Sequence, residues 1–132
     1  MDAARLWSVT FRLGQQVVAN AAPDLRALGL DPKELFVLAA IEDQPYPAAI
    51  AADLLMPKAT VAAHLKKLQA EGYVDREIDP GDLRRHRLRL TAKGQQVTAE
   101  GMALVTAEFG ERLGRLTGPQ QEEFAKLVAK LV

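Results

Sequence analysis

Apolar residues recur at helical spacing along most of the chain, and the first helix is predicted from about Asp2 to Ala22, where Pro23 should end it. Two apolar stripes run along this helix, although a helix on the surface of a single globular domain needs only one. The stripes are Leu6, Leu13 and Val17 on one side and Trp7, Phe11 and Val18 on the other. Either both stripes belong to the core, or the second is covered by another chain or by the far end of this one.

A second helix is predicted after a short segment from Leu25 to Leu30. Asp31 is a suitable N-cap residue, with Pro32 at the first helical position and Glu34 in the position of a capping-box partner. The helix should end before Pro45-Tyr46-Pro47, which reads as an extended connector. The buried face of the helix is predicted to contain Leu35, Leu38, Ala39 and Ile41.

The next stretch, AAIAADLLMPKATVAAHLKKLQAEG, predicts two helices around a tight turn, with Pro57 at or near the start of the second and Gly72 as its C-terminal stop. The predicted inward residues are Ile50 and Leu54 in the first helix and Val61, Leu65 and Leu68 in the second. The opposite face of the second helix holds Ala59, Thr60, Ala63, Lys66 and Lys67. Small residues let a helix sit deep in the major groove of DNA, and lysines reach phosphates. This helix therefore has the composition of a DNA-recognition helix.

A β-hairpin is predicted between Tyr73 and Gly94, because the pattern changes there from helical spacing to alternation. Its turn is Asp79-Pro80-Gly81-Asp82, in which Pro fixes φ and Gly tolerates positive φ. The predicted inward residues are Val74 and Ile78 in the first strand and Leu88 and Leu90 in the second, alternating with Asp75, Glu77, Arg87 and Arg89. A helix-turn-helix followed directly by a basic hairpin is a winged helix.

The C-terminal part predicts two helices. Thr91 is a plausible N-cap for a long helix to about Leu116, and Thr117-Gly118-Pro119-Gln120 should cap a final one. The inner face of the long helix contains Val97, Leu104, Phe109, Leu113 and Leu116, interrupted by Gly101, Gly110 and Gly114. The final helix carries an apolar stripe of Phe124, Leu127, Val128, Leu131 and Val132, which needs a partner.

Composition and motif content argue against several classes of protein. The chain has 132 residues, 48% of them hydrophobic, and no cysteine, which excludes disulfides and thiolate metal sites. The longest apolar run, Leu35 to Ile41, is too short to cross a bilayer, so we expect a cytoplasmic protein without a membrane partner. His64 and His86 lack a close third ligand, and no catalytic motif is present. We therefore expect neither a cofactor nor a metal, and not an enzyme.

Charge is distributed unevenly, although the formal net charge is zero. Residues 58–93 contain nine Lys and Arg against five Asp and Glu, whereas the rest of the chain contains eight against twelve. A basic segment inside a neutral chain is typical of one surface that meets phosphates.

The order of these features resembles the multiple antibiotic resistance regulator (MarR) family. A two-helix unit, Gly72, a strand, the Asp-Pro-Gly-Asp turn, arginines, a second strand and Leu90-Thr91-x-x-Gly94 follow one another over about 45 residues. The resemblance implies a mainly α fold with a small β-hairpin wing, that is, a winged helix-turn-helix with N- and C-terminal dimerisation helices. It implies one domain over residues 1–132, with residues 31–94 as the DNA-binding lobe and residues 1–30 and 95–132 as the dimerisation helices.

Residue roles follow from the same resemblance. The helix from Lys58 to about Glu71 would enter the major groove, Arg84 would enter the adjacent minor groove, and Asp82 and Arg87 would brace the wing. The predicted DNA-binding residues are Lys58, Thr60, Ala63, His64, Lys66, Lys67, Arg84 and Arg85. Leu83, Ala62 and Ala63 depart from the family pattern, because basic or polar residues are common at these positions. A small aromatic effector would bind beside Trp7 and Phe11.

The function predicted from these observations is a sequence-specific transcriptional regulator. It would be a homodimeric repressor that binds a pseudo-palindromic double-stranded DNA operator and is relieved by a small-molecule effector. The alternative is a winged-helix module that binds protein rather than DNA, because few side chains of the recognition helix can read base edges. Salt-sensitive binding to duplex DNA distinguishes the two hypotheses.

Overall fold

The computed structural model describes residues 1–132 as six helices and one antiparallel two-stranded sheet. The elements are α1 (Ala3–Ala27), α2 (Pro32–Asp43), α3 (Pro47–Leu54), α4 (Lys58–Ala70), β1 (Val74–Asp79), β2 (Asp82–Leu90), α5 (Ala92–Leu113) and α6 (Gly118–Ala129). The predicted fold class, mainly α with a β-hairpin wing, is confirmed. No single helix is long and apolar enough to cross a membrane, and α3 and α4 pass that test only when joined across their 118° bend.

The chain divides into two compact units. One contains residues 1–21 and 104–132, and the other contains residues 22–103. The second unit, called the lobe below, extends beyond the predicted boundaries of 31 and 94, because the end of α1 and the start of α5 belong to it. Within the lobe, a Cβ added at Gly101 would lie 2.7 Å from Leu35 Cδ1 and 3.3 Å from Leu25 Cδ2. The glycine therefore permits close packing of α5 against α1 and α2.

Helix α1 continues through Pro23 to Ala27, so the predicted helix end at Ala22 is wrong. Proline removes one backbone donor, which leaves the carbonyl of Ala19 without its helical partner. Pro23 and Ala19 are exposed, so water can satisfy that carbonyl, whereas Ala22 and Leu25 on the adjacent face are buried. Burial on both sides of the proline outweighs its local penalty, which is about 3 kcal/mol in a helix interior.

The core of the lobe consists of aliphatic side chains from α1, α2, α3, α4 and the base of the hairpin. The side chains of α4 predicted to face inward, Val61, Leu65 and Leu68, are all fully buried. The other fully buried hydrophobic side chains are Leu25, Leu30, Leu35, Val37, Leu38, Ile50 and Val74. This core fixes α4 with one face inward and leaves the opposite face to solvent.

The segment Thr91 to Gly94 joins the hairpin to α5. The Thr91 hydroxyl donates to the carbonyl of Gly72 at 2.6 Å and accepts from the Gly94 N–H at 3.0 Å, which confirms the predicted N-cap. A Cβ at position 94 would overlap the carbonyl oxygen of Tyr73. Glycine is required here because the first turn of α5 crosses the backbone of Tyr73, directly before β1.

The hairpin is regular at its base and irregular at its tip. Pairing runs from Val74 opposite Leu90 to Ile78 opposite His86, and then shifts to Asp79 opposite Asp82. Three residues of β2, namely Leu83, Arg84 and Arg85, therefore have no partner on β1 and form a bulge.

The predicted inward residues of the hairpin are confirmed except at Ile78. Val74, Leu88 and Leu90 are buried, whereas Ile78 is 57% exposed and Asp79, beside it, is only 4% exposed. Ile78 lies toward the tip, where no core residue covers it, and the register shift between Ile78 and Asp79 turns the carboxylate inward instead.

Candidate nucleic-acid interface

The outward face of α4 is small at its start and basic further along. Helices α3 and α4 meet at a bend of 118°, and Pro57 precedes the first turn of α4 with φ −58° and ψ 143°. The exposed residues of α4 are Lys58, Ala59, Ala62, Ala63, Lys66, Lys67 and Ala70. An alanine-rich surface allows close approach to a groove, and the cations stand at its two ends.

The structure separates the predicted recognition residues into two groups. Lys58, Ala63 and Lys66 are exposed, and neither lysine forms an ion pair. Thr60 and His64 are half-buried beside the core face, and His64 Nε2 is buried without a hydrogen-bond partner. The accessible, unpaired cations of α4 are therefore Lys58 and Lys66.

Lys67 is the one lysine of α4 that is already paired. Its Nζ lies 2.8 Å from Glu34 Oε1, and the Glu34 side chain is 2% exposed while that of Lys67 is 49% exposed. The hydrogen bond to Glu34 is the main reason that the pKa of Lys67 is raised. Asp31 occupies the N-cap of α2 without a side-chain capping bond, so Glu34 does not complete the predicted capping box. It ties α2 to α4 instead.

The predicted brace between Asp82 and Arg87 is wrong. Arg87 Nε donates to Glu77 Oε1 at 2.6 Å, because Glu77 is directly opposite Arg87 in the register. This bond is the main cause of a raised pKa for Arg87. The Oδ1 of Asp82 accepts from the backbone N–H of Arg84 at 3.0 Å, so Asp82 orders the bulge and does not pair with Arg87.

The Asp79 carboxylate, at the base of the bulge, accepts hydrogen bonds from both sides of it and from the connector before α3. Asp79 Oδ2 accepts from the Tyr46 hydroxyl at 2.6 Å and from Arg85 Nε at 2.8 Å, while Asp79 Oδ1 accepts from the Gly81 N–H at 2.8 Å. The Arg85 guanidinium carbon lies 4.1 Å from the centre of the Tyr46 ring. Hydrogen bonds from Tyr46, then Gly81, and from Arg85 lower the pKa of Asp79 from 3.8 to about 2, although burial opposes them. We call Tyr46, Asp79 and Arg85 the wing anchor.

Sequence reasoning missed Tyr46 and Asp79 as site residues. They are 33 positions apart, and neither belongs to a recognisable motif with the other. The only available signal was local: Tyr46 is an aromatic residue between two prolines, which indicates a rigid connector.

Arg84 differs from the other arginines of β2. Arg85, Arg87 and Arg89 pair with Asp79, Glu77 and Asp75 respectively, at 2.8, 2.6 and 3.2 Å. Arg84 has no carboxylate partner and is exposed within the bulge, beside Leu83, which is 80% exposed. The wing therefore presents one free guanidinium at its tip.

The predicted effector residues lie together on α1. The rings of Trp7 and Phe11 are stacked with centroids 5.6 Å apart, and they are 66% and 52% exposed. The same unit also contains an apolar pocket of about 250 Å³, but neither Trp7 nor Phe11 lines it. Its lining consists of Leu13, Phe109, Arg112, Leu113, Arg115, Leu116 and Phe124.

The chain is similar in sequence to named bacterial regulators. The transcriptional regulator HosA of Escherichia coli O111:H- is 38% identical over 98 residues, which is 73% of this chain and 73% of that protein. The HTH-type transcriptional repressor Rv2887 of Mycobacterium tuberculosis H37Rv is 30% identical over 132 residues, which is 98% of this chain and 95% of that protein. Both names describe regulators, which agrees with the prediction that this chain is not an enzyme.

Solved structures and a family model also show similarity to bacterial and archaeal transcriptional regulators. The crystal structure of the MarR family protein Rv2887 in complex with DNA aligns with a TM-score of 0.77 at 28% identity, over 96% of each chain. A MarR regulator from Methanosarcina mazei aligns with a TM-score of 0.84 at 18% identity, over 97% of this chain and 94% of that one, which shows the fold alone. The MarR family model matches residues 28–85. The chain belongs to the MarR family of transcriptional regulators.

Proposed function

We propose that the protein is a dimeric repressor that binds double-stranded DNA through α4 and the wing and is released by a small aromatic effector. The observation that carries the proposal is that free cations occur on both elements, Lys58 and Lys66 on α4 and Arg84 at the tip of the wing. The cations next to them in the sequence, Lys67 and Arg85, are paired internally. The DNA complex of Rv2887 supports this reading.

In the proposed complex, α4 enters the major groove through its alanine-rich face. Lys58 and Lys66 meet phosphates or base edges at the two ends of that face, and Arg84 enters the adjacent minor groove, where narrow A·T tracts concentrate negative potential. Thr60 and His64 are half-buried and contribute less. Methyl contacts from Ala59 and Ala63 favour thymine.

Dimerisation is proposed from the exposed apolar surface of the terminal segments. Helix α6 begins where it was predicted to begin, because Thr117 and Gln120 form a capping box. No residue of this helix is buried within the chain. The exposed apolar side chains of these segments are Leu6, Trp7, Val9, Phe11, Leu116, Phe124, Leu127, Val128, Leu131 and Val132. An apolar surface of this extent is typical of an interface, and a second copy is the partner that a twofold operator requires. The two recognition helices would then be about 34 Å apart, one turn of DNA.

An aromatic acid is the proposed effector class. Crystal structures of Rv2887 with salicylic acid and with p-aminosalicylic acid align with TM-scores of 0.77 and 0.78 at 28% and 29% identity. In this chain the stacked pair Trp7 and Phe11 offers an aromatic surface for such a ligand. We place the effector beside this pair, and we place the regulator in the cytoplasm, where its operator is.

Selection of bound genomic fragments, followed by affinity measurements over a range of salt concentrations, tests the proposal. A protein that neutralises several phosphates loses about 0.9 log units of affinity per contact for each tenfold rise in salt. Lys58→Ala should lower both affinity and the salt slope, whereas Lys130→Ala, which removes an exposed lysine from the end of α6, should leave both unchanged. Binding that ignores salt, or no binding to duplex DNA, would support the protein-interaction module instead.

A further inference from the structure

We propose that Tyr46, on the connector between α2 and α3, is a positioning residue that holds the wing in its DNA-binding orientation, and that Arg85 acts through it instead of contacting phosphate. The inference rests on the proposed DNA-binding function. It concerns a residue outside both the recognition helix and the hairpin.

The connector is bonded to both sides of the DNA-binding unit. The carbonyl of Pro45 accepts from the Leu88 N–H of β2 at 2.7 Å, and the carbonyl of Tyr46 accepts from the Ile50 N–H at 3.0 Å, in the first turn of α3. The Tyr46 hydroxyl then reaches Asp79 at the end of β1 at 2.6 Å. One residue is therefore joined to the first helix of the helix-turn-helix and to the hairpin.

Arg85 is held by the same group. Its Nε is 2.8 Å from Asp79 Oδ2, the atom that also accepts from Tyr46, and its guanidinium stacks over the Tyr46 ring. The Asp79 side chain is 5% exposed, so moving Arg85 to a phosphate would remove one donor from a carboxylate that water scarcely reaches. A planar guanidinium fits this site because it can stack on a ring and donate from its edge at once.

The wing anchor sets the direction of the bulge. Asp79 and Arg85 lie at the two sides of the turn and bulge, and Asp82 fixes the backbone N–H of Arg84 between them. With both sides fixed, little backbone freedom remains for Arg84 to lose when it enters a groove. Reducing the entropy lost on binding raises affinity without any new contact.

Two conservative variants separate positioning from phosphate contact. Tyr46→Phe keeps the ring and removes the hydroxyl. It should weaken binding to the selected duplex about tenfold, because the wing is held less firmly and more backbone freedom is lost on binding. Its salt slope should equal that of the parent. Tyr73→Phe is the matched control, since Tyr73 is the other tyrosine of the chain and its hydroxyl makes no hydrogen bond within the protein. It should bind like the parent.

Arg85→Lys gives the second test. Lysine keeps the positive charge and would serve a phosphate, but it cannot stack and donate as the guanidinium does. We expect weaker binding at an unchanged salt slope, and no further loss when Tyr46→Phe is added. Parental affinity for Arg85→Lys, combined with a slope lowered by about 0.9 in Arg85→Ala, would show a phosphate contact and overturn the inference.

Hydrogen exchange distinguishes failure of this inference from failure of the proposed function. In the free protein, Tyr46→Phe should accelerate exchange of the amides of residues 83–87, and the melting temperature should also fall, because the buried Asp79 carboxylate loses a donor. If the parent binds DNA and Tyr46→Phe changes neither exchange nor affinity, only the positioning role is refuted. If the parent does not bind duplex DNA, the proposed function is refuted and the role in DNA binding falls with it.

Discussion

Helix α4 and strand β2 are both basic in sequence, but they use their cations differently. On α4, Lys58 and Lys66 are free and Lys67 is paired. On β2, three of four arginines are paired with carboxylates of β1, and Arg84 alone is free. The helix derives its shape from an apolar core and can leave its cations to solvent. The hairpin has little core near its tip, so ion pairs across the strands order it.

The formal charge of these two elements therefore overstates the charge that is available to a partner. Three cations in the predicted DNA-binding and bracing sets, Lys67, Arg85 and Arg87, are neutralised within the fold. A partner therefore meets a smaller number of free cations, and each of these should have a larger individual effect.

The largest effect is expected at the free arginine of the wing. Arg84→Ala should weaken DNA binding by roughly 1 to 3 kcal/mol, or about 5- to 150-fold, because it removes the minor-groove contact. The melting temperature should be almost unchanged, since an exposed side chain without an ion pair contributes little to folding. Binding titrations and melting curves check this. Arg89→Ala, in which an exposed and paired arginine is lost, is the matched control and should bind more tightly than Arg84→Ala; the reverse order would contradict the comparison.

Substitution of the two adjacent lysines of α4 should affect different properties: the salt dependence of DNA binding for Lys66 and the stability of the fold for Lys67. Lys66→Gln should reduce the salt slope of binding by about 0.9 and leave stability unchanged, because one phosphate contact is lost. Lys67→Gln should instead lower the melting temperature by roughly 3 to 6 °C, because the buried Glu34 carboxylate loses its cation. Salt titrations and thermal melts distinguish them. Equal changes in slope for both variants would mean that Lys67 also reaches DNA.

Acid should remove the contribution of Asp79 to stability between its ordinary pKa of 3.8 and its folded-state pKa of about 2. The folded-state pKa of Asp79, about 2, is below its ordinary value of 3.8, so the carboxylate stabilises the fold fully above 3.8 and this contribution is lost as the pH falls toward 2. The melting temperature of the parent should therefore exceed that of Asp79→Asn by a constant amount near neutrality, and the difference should shrink on acidification through this range. A difference that does not change with pH would refute the ion-pair role of Asp79.

The smallest effect is expected at the ion pair between Glu77 and Arg87, which the structure shows in place of the predicted pair between Asp82 and Arg87. Glu77→Ala and Arg87→Ala should each lower the melting temperature slightly, and the double variant should show no additional loss, because they form one interaction. Asp82→Ala should add independently to Arg87→Ala. A double-mutant cycle in which Asp82 and Arg87 are coupled and Glu77 is not would restore the original prediction.

Local patterns predicted the elements and most of their inward faces. Val61, Leu65 and Leu68 repeat at helical spacing, and Leu88 and Leu90 alternate, so their burial was predictable from period alone. The caps at Thr91 and Thr117 were predictable for a similar reason, since the groups that they bind are three residues away in the chain.

The wrong predictions involve interactions between distant residues. Helix α1 passes Pro23 because tertiary burial outweighs a local penalty. Glu34 was assigned to a local cap but pairs with a residue 33 positions away, and Tyr46 reaches Asp79 over the same separation. Arg87 has several possible acidic partners, and only the strand register selects Glu77. Pairing among long polar side chains depends on the assembled fold.

The most direct test of the distinction between free and paired cations compares two double variants of equal charge. Lys66→Gln with Arg84→Gln removes two free cations, and Lys67→Gln with Arg85→Gln removes two paired ones. Measured on one selected duplex over a range of salt concentrations, the first should lose at least the slope of about 0.9 that the Lys66 phosphate contact contributes, whereas the second should keep the parental slope and bind more weakly. Equal losses of slope in the two double variants would contradict the account.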